Sequence, residues 1–451
     1  MRMNLSDYVE LNPRVPLVKG QLVPFISMDV ITPGSRWVWP EEERPATGSG
    51  SKFAPGDTLF ARITPCLENG KIAQFLGHHP GMGSTEFIVL RARHNISDPA
   101  FVYYFAQNRE LRSAAEKSMS GASGRQRANI SALRDFECEF PALPVQRRIA
   151  GILSAYDELM ENNRRRIRIL EGMARALYRE WFVHFRIPAD VLAKAGASPK
   201  IKRVDSPLGP IPHSWEVKPL ESLITAQIGG GWGKEAADED HTEPAWVIRG
   251  TDIPDARCCR VANVPHRFHT VSNLRSRRLQ ASDILFEVSG GSKGQPVGRT
   301  LLVTPELLSA FGGDDVICAS FCKRVCPDTS GYGAELLYLS FLEGYESGEI
   351  EQFQVQSTGI SNFKWTEYIA QTRRVVPPTP LRKRFSEHVA PMFSQIATLG
   401  LQTVNLRQTR DLLLPRLLSG GVNLIESNRD ILLCNPHPAI TKPTTEEGLL
   451  C

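Results

Sequence analysis

The sequence predicts an α+β chain built twice over: two globular domains in tandem, each followed by a long helix, with the two helices paired. Three observations lead there. A proline-led segment recurs far along the chain, an apolar heptad pattern follows both copies, and mixed strand and helix patterning precedes both. At 451 residues the chain has room for two or three domains, and 41% hydrophobic with 23% charged residues is ordinary for folded protein.

The repeat comes first because it fixes the organisation. Pro141-Ala-Leu-Pro-Val-Gln-Arg-Arg-Ile149 reappears as Pro377-Pro-Thr-Pro-Leu-Arg-Lys-Arg-Phe385, and the ungapped register carries Leu170-Glu-Gly-Met-Ala-Arg-Ala-Leu-Tyr178 onto Leu406-Arg-Gln-Thr-Arg-Asp-Leu-Leu-Leu414. Upstream the match is looser: Pro55-Gly-Asp-Thr-Leu-Phe60 aligns with Ala281-Ser-Asp-Ile-Leu-Phe286, and Val23 to Ile31 with Pro244 to Ile253. The helical parts therefore resemble each other more than the globular parts do.

The first seam steps by four and three through Ile149, Leu153, Tyr156, Met160, Asn163, Ile167, Leu170, Ala174, Leu177 and Trp181. The second runs Phe385, Val389, Met392, Ile396, Leu399, Thr403, Leu406, Arg410, Leu413 and Leu417. Matching seams predict that the helices pair. Antiparallel pairing would set the domains at opposite ends, and parallel pairing would set them side by side. At 1.5 Å per residue the first seam spans about 48 Å. Pro391 and Pro415 are expected to kink or interrupt the second helix.

In the globular halves, alternating runs at Thr58 to Ile63, Phe87 to Arg91, Asp283 to Val288 and Phe321 to Val325 read as strands, and Pro99 to Lys117 and Ala334 to Glu346 read as helices. Each half carries a polar, glycine-bearing loop ahead of its long helix, Ser120 to Asn129 and Ser357 to Lys364. Each carries another after its Asp-x-Leu-Phe strand, with Arg62, Thr64, Asn69 and Lys71 in the first and Ser289 to Gln295 with Arg299 in the second. Arg62, Lys71, Arg125, Gln126, Arg127, Lys293, Gln295, Arg299 and Lys364 offer donors suited to phosphates and base edges. An ordinary solvated turn is the equal alternative for the loops ahead of the long helices, while recurrence in both halves tips the loops after the Asp-x-Leu-Phe strands slightly toward function.

The net charge of +4 identifies no partner by itself, and the basic runs Arg147-Arg148, Arg164 to Arg168, Arg275 to Arg278 and Arg382 to Arg384 fit solvated helix faces as well as nucleic-acid contacts. Nine scattered cysteines and an N-terminus without a signal pattern predict a reducing cytoplasm, and no apolar run is long enough for a membrane span. Ile228-Gly-Gly-Gly-Trp-Gly-Lys-Glu235 resembles a phosphate loop but puts Glu235 where Ser or Thr must reach magnesium. Asp57, Glu68 and Lys71 lack the acid-x-Lys ending of a metal-dependent nuclease, and Cys318, Cys322 and Cys326 lack the close pairs of a zinc site. Asn12-Pro13 and Asn435-Pro436 lack the Asn-Pro-Pro-aromatic adenine-methylation signature. No catalytic or metal-binding residue is expected. A self-contained DNA endonuclease or methyltransferase, and a solitary DNA-binding regulator, are the competing readings.

Gly56-Asp-Thr-Leu-Phe-Ala-Arg-Ile-Thr-Pro-Cys-Leu-Glu-Asn-Gly-Lys-Ile72 resembles the first recognition domain of type I restriction-modification specificity (S) subunits. Pro144 to Leu153 with Leu170 to Trp181, and Leu406 to Gly420, resemble their central and C-terminal helical regions, so the likeness runs from about residue 5 to 424. It implies a non-catalytic subunit in which each domain reads one half of a split, asymmetric double-stranded DNA site across an unread spacer. It also implies two methyltransferase (M) subunits docked on the helices, with restriction (R) subunits joining. S-adenosylmethionine, ATP and Mg would belong to those partners, and this chain would bind no cofactor. The expected organisation is target-recognition domain 1 at 1–143, a central helix at 144–188, a linker at 189–210, target-recognition domain 2 at 211–380, a second helix at 381–421 and a disordered tail at 422–451. We expect the two helices to pair as an antiparallel coiled coil.

Overall fold

The computed structural model describes residues 2–122, 124–198, 202–290, 296–357 and 360–421, so Lys293, Gln295 and the segment from 422 onward lie outside the described residues. The chain divides into two compact units, Met1–Glu161 with Leu406–Cys451, and Asn162–Asn405. Each unit takes one globular half and a portion of both long helices, Leu143–Tyr178 and Thr379–Leu418.

In the first unit a five-stranded sheet runs in the order Val9–Leu11, Phe87–Ala92, Thr58–Ala61, Ile72–Phe75, Trp37–Val38. A four-stranded sheet runs Glu42–Pro45, Leu22–Ile26, Gly81–Gly83, Ser51–Phe53. The second unit repeats this wiring with Ile224–Gly229, Cys322–Pro327, Ile284–Glu287, Thr300–Leu302 in one sheet and His266–His269, Glu243–Ile248, Val316–Cys318 in the other. In both smaller sheets the second and third strands named are parallel and the outer one is antiparallel.

The shared Asp-x-Leu-Phe motif explains itself in this setting. Asp57 accepts from the Ala54 backbone N–H at 2.7 Å and is gripped by Arg91 at 2.8 and 2.6 Å, closing the turn onto the neighbouring strand. Asp283 repeats both contacts, accepting from Gln280 N–H at 2.6 Å and from Arg324 Nε at 2.7 Å. Leu and Phe of the motif then alternate into the core, where Leu59, Phe60, Leu285 and Phe286 are fully buried.

The recurring proline-led segment also has one mechanical role in both copies. Gln146, buried, accepts from Asp98 N–H at 3.0 Å and donates to the carbonyls of Ile96 and Pro141 at 3.0 and 2.8 Å, tying the start of the first long helix to the turn that opens helix Pro99–Ala106. Arg382 stands at the matching position and donates to the Gly331 carbonyl, just ahead of helix Ala334–Glu346.

Within each unit the helices meet in opposite directions. Ile149 and Leu153 share a core with Leu413 and Leu417 in the first unit. Ile167 packs with Ile396 and Leu399 in the second, and the rings of Trp181 and Phe385 lie 5.6 Å apart. Rising numbers on one helix face falling numbers on the other, so the pairing is antiparallel. Of the seam positions, Met160, Ala174 and Val389 are also buried, whereas Tyr156, Leu170, Leu177, Met392 and Leu406 are half-buried.

The structure corrects several expectations. The second long helix passes through Pro391 and Pro415 uninterrupted; the buried side chains on neighbouring turns, Val389, Ile396 and Leu417, outweigh the two lost backbone bonds. The helix expected at Pro99 to Lys117 is two, Pro99–Ala106 and Arg109–Lys117, because Asn108 caps a new start with its side chain at 2.7 Å from Glu110 N–H. The loop expected at Ser357 to Lys364 belongs to a hairpin of Gln354–Ser357 with Ile360–Phe363. In the expected linker, helix Ala189–Lys194 buries Val191 and Leu192, the first in the second unit's core.

Candidate nucleic-acid interface

In the first unit the backbone brings the two candidate loops together. Ala128 N–H donates to the Arg62 carbonyl at 2.8 Å, and Thr64 N–H donates to the Gln126 carbonyl at 3.0 Å. Arg127 and Ser120 exchange backbone bonds at 2.9 and 3.1 Å, closing the second loop on itself. Segments far apart in sequence thus form one polar surface.

Glu86 organises its cations. Its carboxylate accepts from Arg127 at 2.7 to 3.0 Å and from Arg62 at 3.4 Å. The Arg127 hydrogen bond, outweighing partial burial and helped by Arg62, holds the Glu86 carboxyl below the usual range. Arg125 is exposed and has no ion-pair partner among the described residues, and Asn69 is exposed in the other loop. Lys71 points inward instead, donating to the Met28 carbonyl at 2.8 Å.

The second unit joins its equivalent loops by a sheet. Ser289–Gly290, directly after the Asp-x-Leu-Phe strand, pairs antiparallel with Ile360–Phe363, and Ser289 Oγ donates to Asn362 Oδ1 at 2.7 Å. Arg299 is not on this surface in a usable form: its side chain is 12% exposed and clasps Glu287 at 2.5 and 2.8 Å. Lys364 caps helix Trp365–Gln371 and lies 3.1 Å from Glu367.

The phosphate-loop-like glycines have a packing reason. A Cβ on Gly230 would come within 2.1 Å of the Ala319 carbonyl oxygen, so the strand can cross there only as glycine. Cys318 and Cys322 are buried free thiols whose ionisation burial opposes, the first pushed up to about 12. Among the described residues no group of three His, Cys, Asp or Glu could hold a metal ion, and no helix is long and apolar enough to cross a membrane.

Sequence reasoning missed a buried charged network in the same unit. Asp157 of the first long helix accepts from Arg410 of the second at 2.5 Å and from the Tyr104 hydroxyl at 2.5 Å. Arg36 donates to Ser154 at 2.5 Å and to Gln74 at 2.9 and 3.0 Å, while Arg410 also reaches the Gly34 carbonyl at 3.2 Å. The first globular domain is therefore bolted to both helices through buried charge. A polar residue at a seam position, Arg410, was the available signal; Glu86 gave none, since it sits in a turn without periodicity.

Three comparisons bear on this architecture. The family model for a "Type I restriction modification DNA specificity domain" matches residues 69–171. The chain is 24% identical over 335 residues to the type I restriction enzyme MjaIX specificity subunit of Methanocaldococcus jannaschii, covering 72% of this chain and 69% of that protein. It is 21% identical over 418 residues to the HindI specificity subunit of Haemophilus influenzae, covering 81% and 86%. The crystal structure of a type I restriction-modification S subunit from M. genitalium shares the fold at a TM-score of 0.51 and 14% identity, over 92% of this chain and 95% of that one.

Proposed function

We propose that the chain is a specificity subunit of a type I restriction-modification system, its two globular domains reading the two halves of a split, asymmetric DNA target while its paired helices carry the catalytic partners. The observation that carries this reading is the duplicated pairing of loops, Arg62 to Lys71 with Ser120 to Asn129 and Ser289–Gly290 with Ile360–Phe363, each following the equivalent strand of two sheets with like wiring. Like wiring with unlike loop residues suits two half-sites of different sequence.

In this reading Arg62, Arg125, Gln126 and Arg127 face DNA in the first domain, with Glu86 setting how firmly the arginines are held. Lys71 and Arg299 act inside the protein, because a carbonyl and a buried carboxylate already take their donors. Lys364 remains a candidate at the rim of the second domain. Methyltransferase subunits dock on the helical region, bringing S-adenosylmethionine and adenine methylation; ATP- and Mg-dependent restriction subunits join that assembly in the cytoplasm. The chain itself contributes recognition and scaffolding, not catalysis.

Glu86→Gln is expected to release Arg62 and Arg127 from their charged partner. Affinity for duplexes lacking the target should rise about tenfold, the equivalent of one further contact of ~1.4 kcal/mol, with a steeper salt dependence. Fluorescence anisotropy across a salt series on the S–M complex checks this, and an unchanged slope contradicts the role given to Glu86.

Co-expression with the methyltransferase encoded beside it, followed by mapping of methylated adenines in host DNA, tests the function as a whole. A stable complex that methylates one split motif is expected. A chain that ignores the methyltransferase, and cuts or regulates DNA alone, would overturn the reading.

A further inference from the structure

Between the edge strand Val9–Leu11 and strand Leu22–Ile26 the first domain opens a groove of about 590 Å³ that none of the sequence motifs marked. One wall is the segment from Asn12 to Leu17, and the other is the turn through Gly48 and Gly50 into Ser51 and Lys52. Arg14 and Lys52 line it, and no acidic residue does. Neither cation has a carboxylate within salt-bridge distance among the described residues, whereas Arg62, Arg91, Arg93, Arg112 and Arg127 of the same unit each have one.

The groove is built rather than incidental. Asn12 adopts a φ of 49° and locks its wall to the sheet, its side chain accepting from Val89 N–H at 2.8 Å while its own N–H donates to the Val89 carbonyl at 2.8 Å. Pro13 and Pro16 stiffen the same wall. On the other side Gly50, at a φ of 103°, passes so close to the Gly83 carbonyl that a Cβ would lie 2.9 Å from it. Ser51 Oγ donates to the Phe87 carbonyl at 2.8 Å, and Phe87 directly follows Glu86, the residue that gathers the interface arginines. Ser51 thus ties the groove to the strand that begins right after Glu86.

We propose that this groove holds a run of duplex DNA phosphates, so that Arg14 and Lys52 grip the backbone beside the half-site that the Arg62–Arg127 loops read. The proposal rests on the DNA-reading function above and assigns a division of labour within it: backbone contacts position, base contacts specify. It is particular to the first domain. The equivalent connector of the second domain, Gly230 to Glu235, has Lys234 paired with Asp238, and Arg267 lies 3.1 Å from Glu235.

The test uses the full chain in complex with its methyltransferase and a labelled duplex of arbitrary sequence. For R14Q/K52Q the slope of log affinity against log salt should become shallower by about 2, at roughly 0.9 per phosphate lost, while the methylated motif stays the same. R14K/K52R should keep the wild-type slope, which separates loss of charge from misfolding. An unchanged slope in R14Q/K52Q overturns the proposal, as does a change in the first half of the motif, which would make the groove a base reader. Loss of the methyltransferase at an unchanged slope also overturns it, in favour of an acidic protein surface as the occupant. A wild-type complex that neither binds duplex nor methylates any motif brings down the DNA-reading function itself, and is told apart from these outcomes by involving no substitution.

Discussion

Arg410→Ala should destabilise the first unit by about 3–5 kcal/mol, because it leaves the Asp157 carboxylate buried without its cation. Both side chains are nearly sealed from water, at 4% and 3% exposure. Burial is the largest single influence and works against the charged guanidinium, yet Asp157, Tyr103 and Asp411 together outweigh it and the Arg410 pKa is raised. No other cation pairs directly with Asp157 among the described residues: Tyr104 still donates to it, but Gly34 loses a donor as well. For a unit of this size the loss corresponds to a melting temperature lower by roughly 10 °C. Replacing both partners together, as Asp157→Leu with Arg410→Met, removes the uncompensated charge and should recover most of the stability. Thermal denaturation of the full chain checks both; equal losses in the single and double variants would mean that packing, not charge, governs the site.

The second large effect is on assembly. Ile169 and Met173 stand 54% and 49% exposed on the outward side of the first long helix, four residues apart and so on one face. The inward side meets Ile396, Leu399 and Phe393. On the proposed function this outward apolar face suits a methyltransferase, and Ile169→Glu with Met173→Glu would place two charges where a dry contact is expected. Affinity for the methyltransferase should fall more than 100-fold, about 3 kcal/mol, with adenine methylation lost and the melting of the chain unchanged. Size-exclusion co-elution reads the first and host-DNA sequencing the second. Retention of the methyltransferase by the double variant would move the docking face elsewhere.

The two-fold architecture was legible because its signals are periodic or repeated: heptads marked the helices, and the Pro141 and Pro377 segments marked the duplication. Even the polar intruders carried information, since Arg410 found Asp157. What the sequence could not give depends on backbone geometry that has no local pattern. The hairpin over Gln354–Phe363 reads as a polar loop because its residues are small and hydrophilic, and it becomes a strand pair only by adding to Ser289–Gly290. Lys71 and Arg299 read as free cations because charge is visible in a sequence and burial is not; their partners, the Met28 carbonyl and Glu287, are set by the sheets. The Arg14 and Lys52 groove went unseen for the same reason, being assembled from two segments that share no motif.

The central claim, that each globular domain reads its own half of a split target, is tested most directly by exchanging residues 1–143 for the corresponding domain of a type I specificity subunit that it resembles, expressing the chimera with the methyltransferase and sequencing methylated host DNA. The account predicts that one half of the methylated motif changes while the other half and the spacer length persist. A motif that changes in both halves, or in neither, would contradict it.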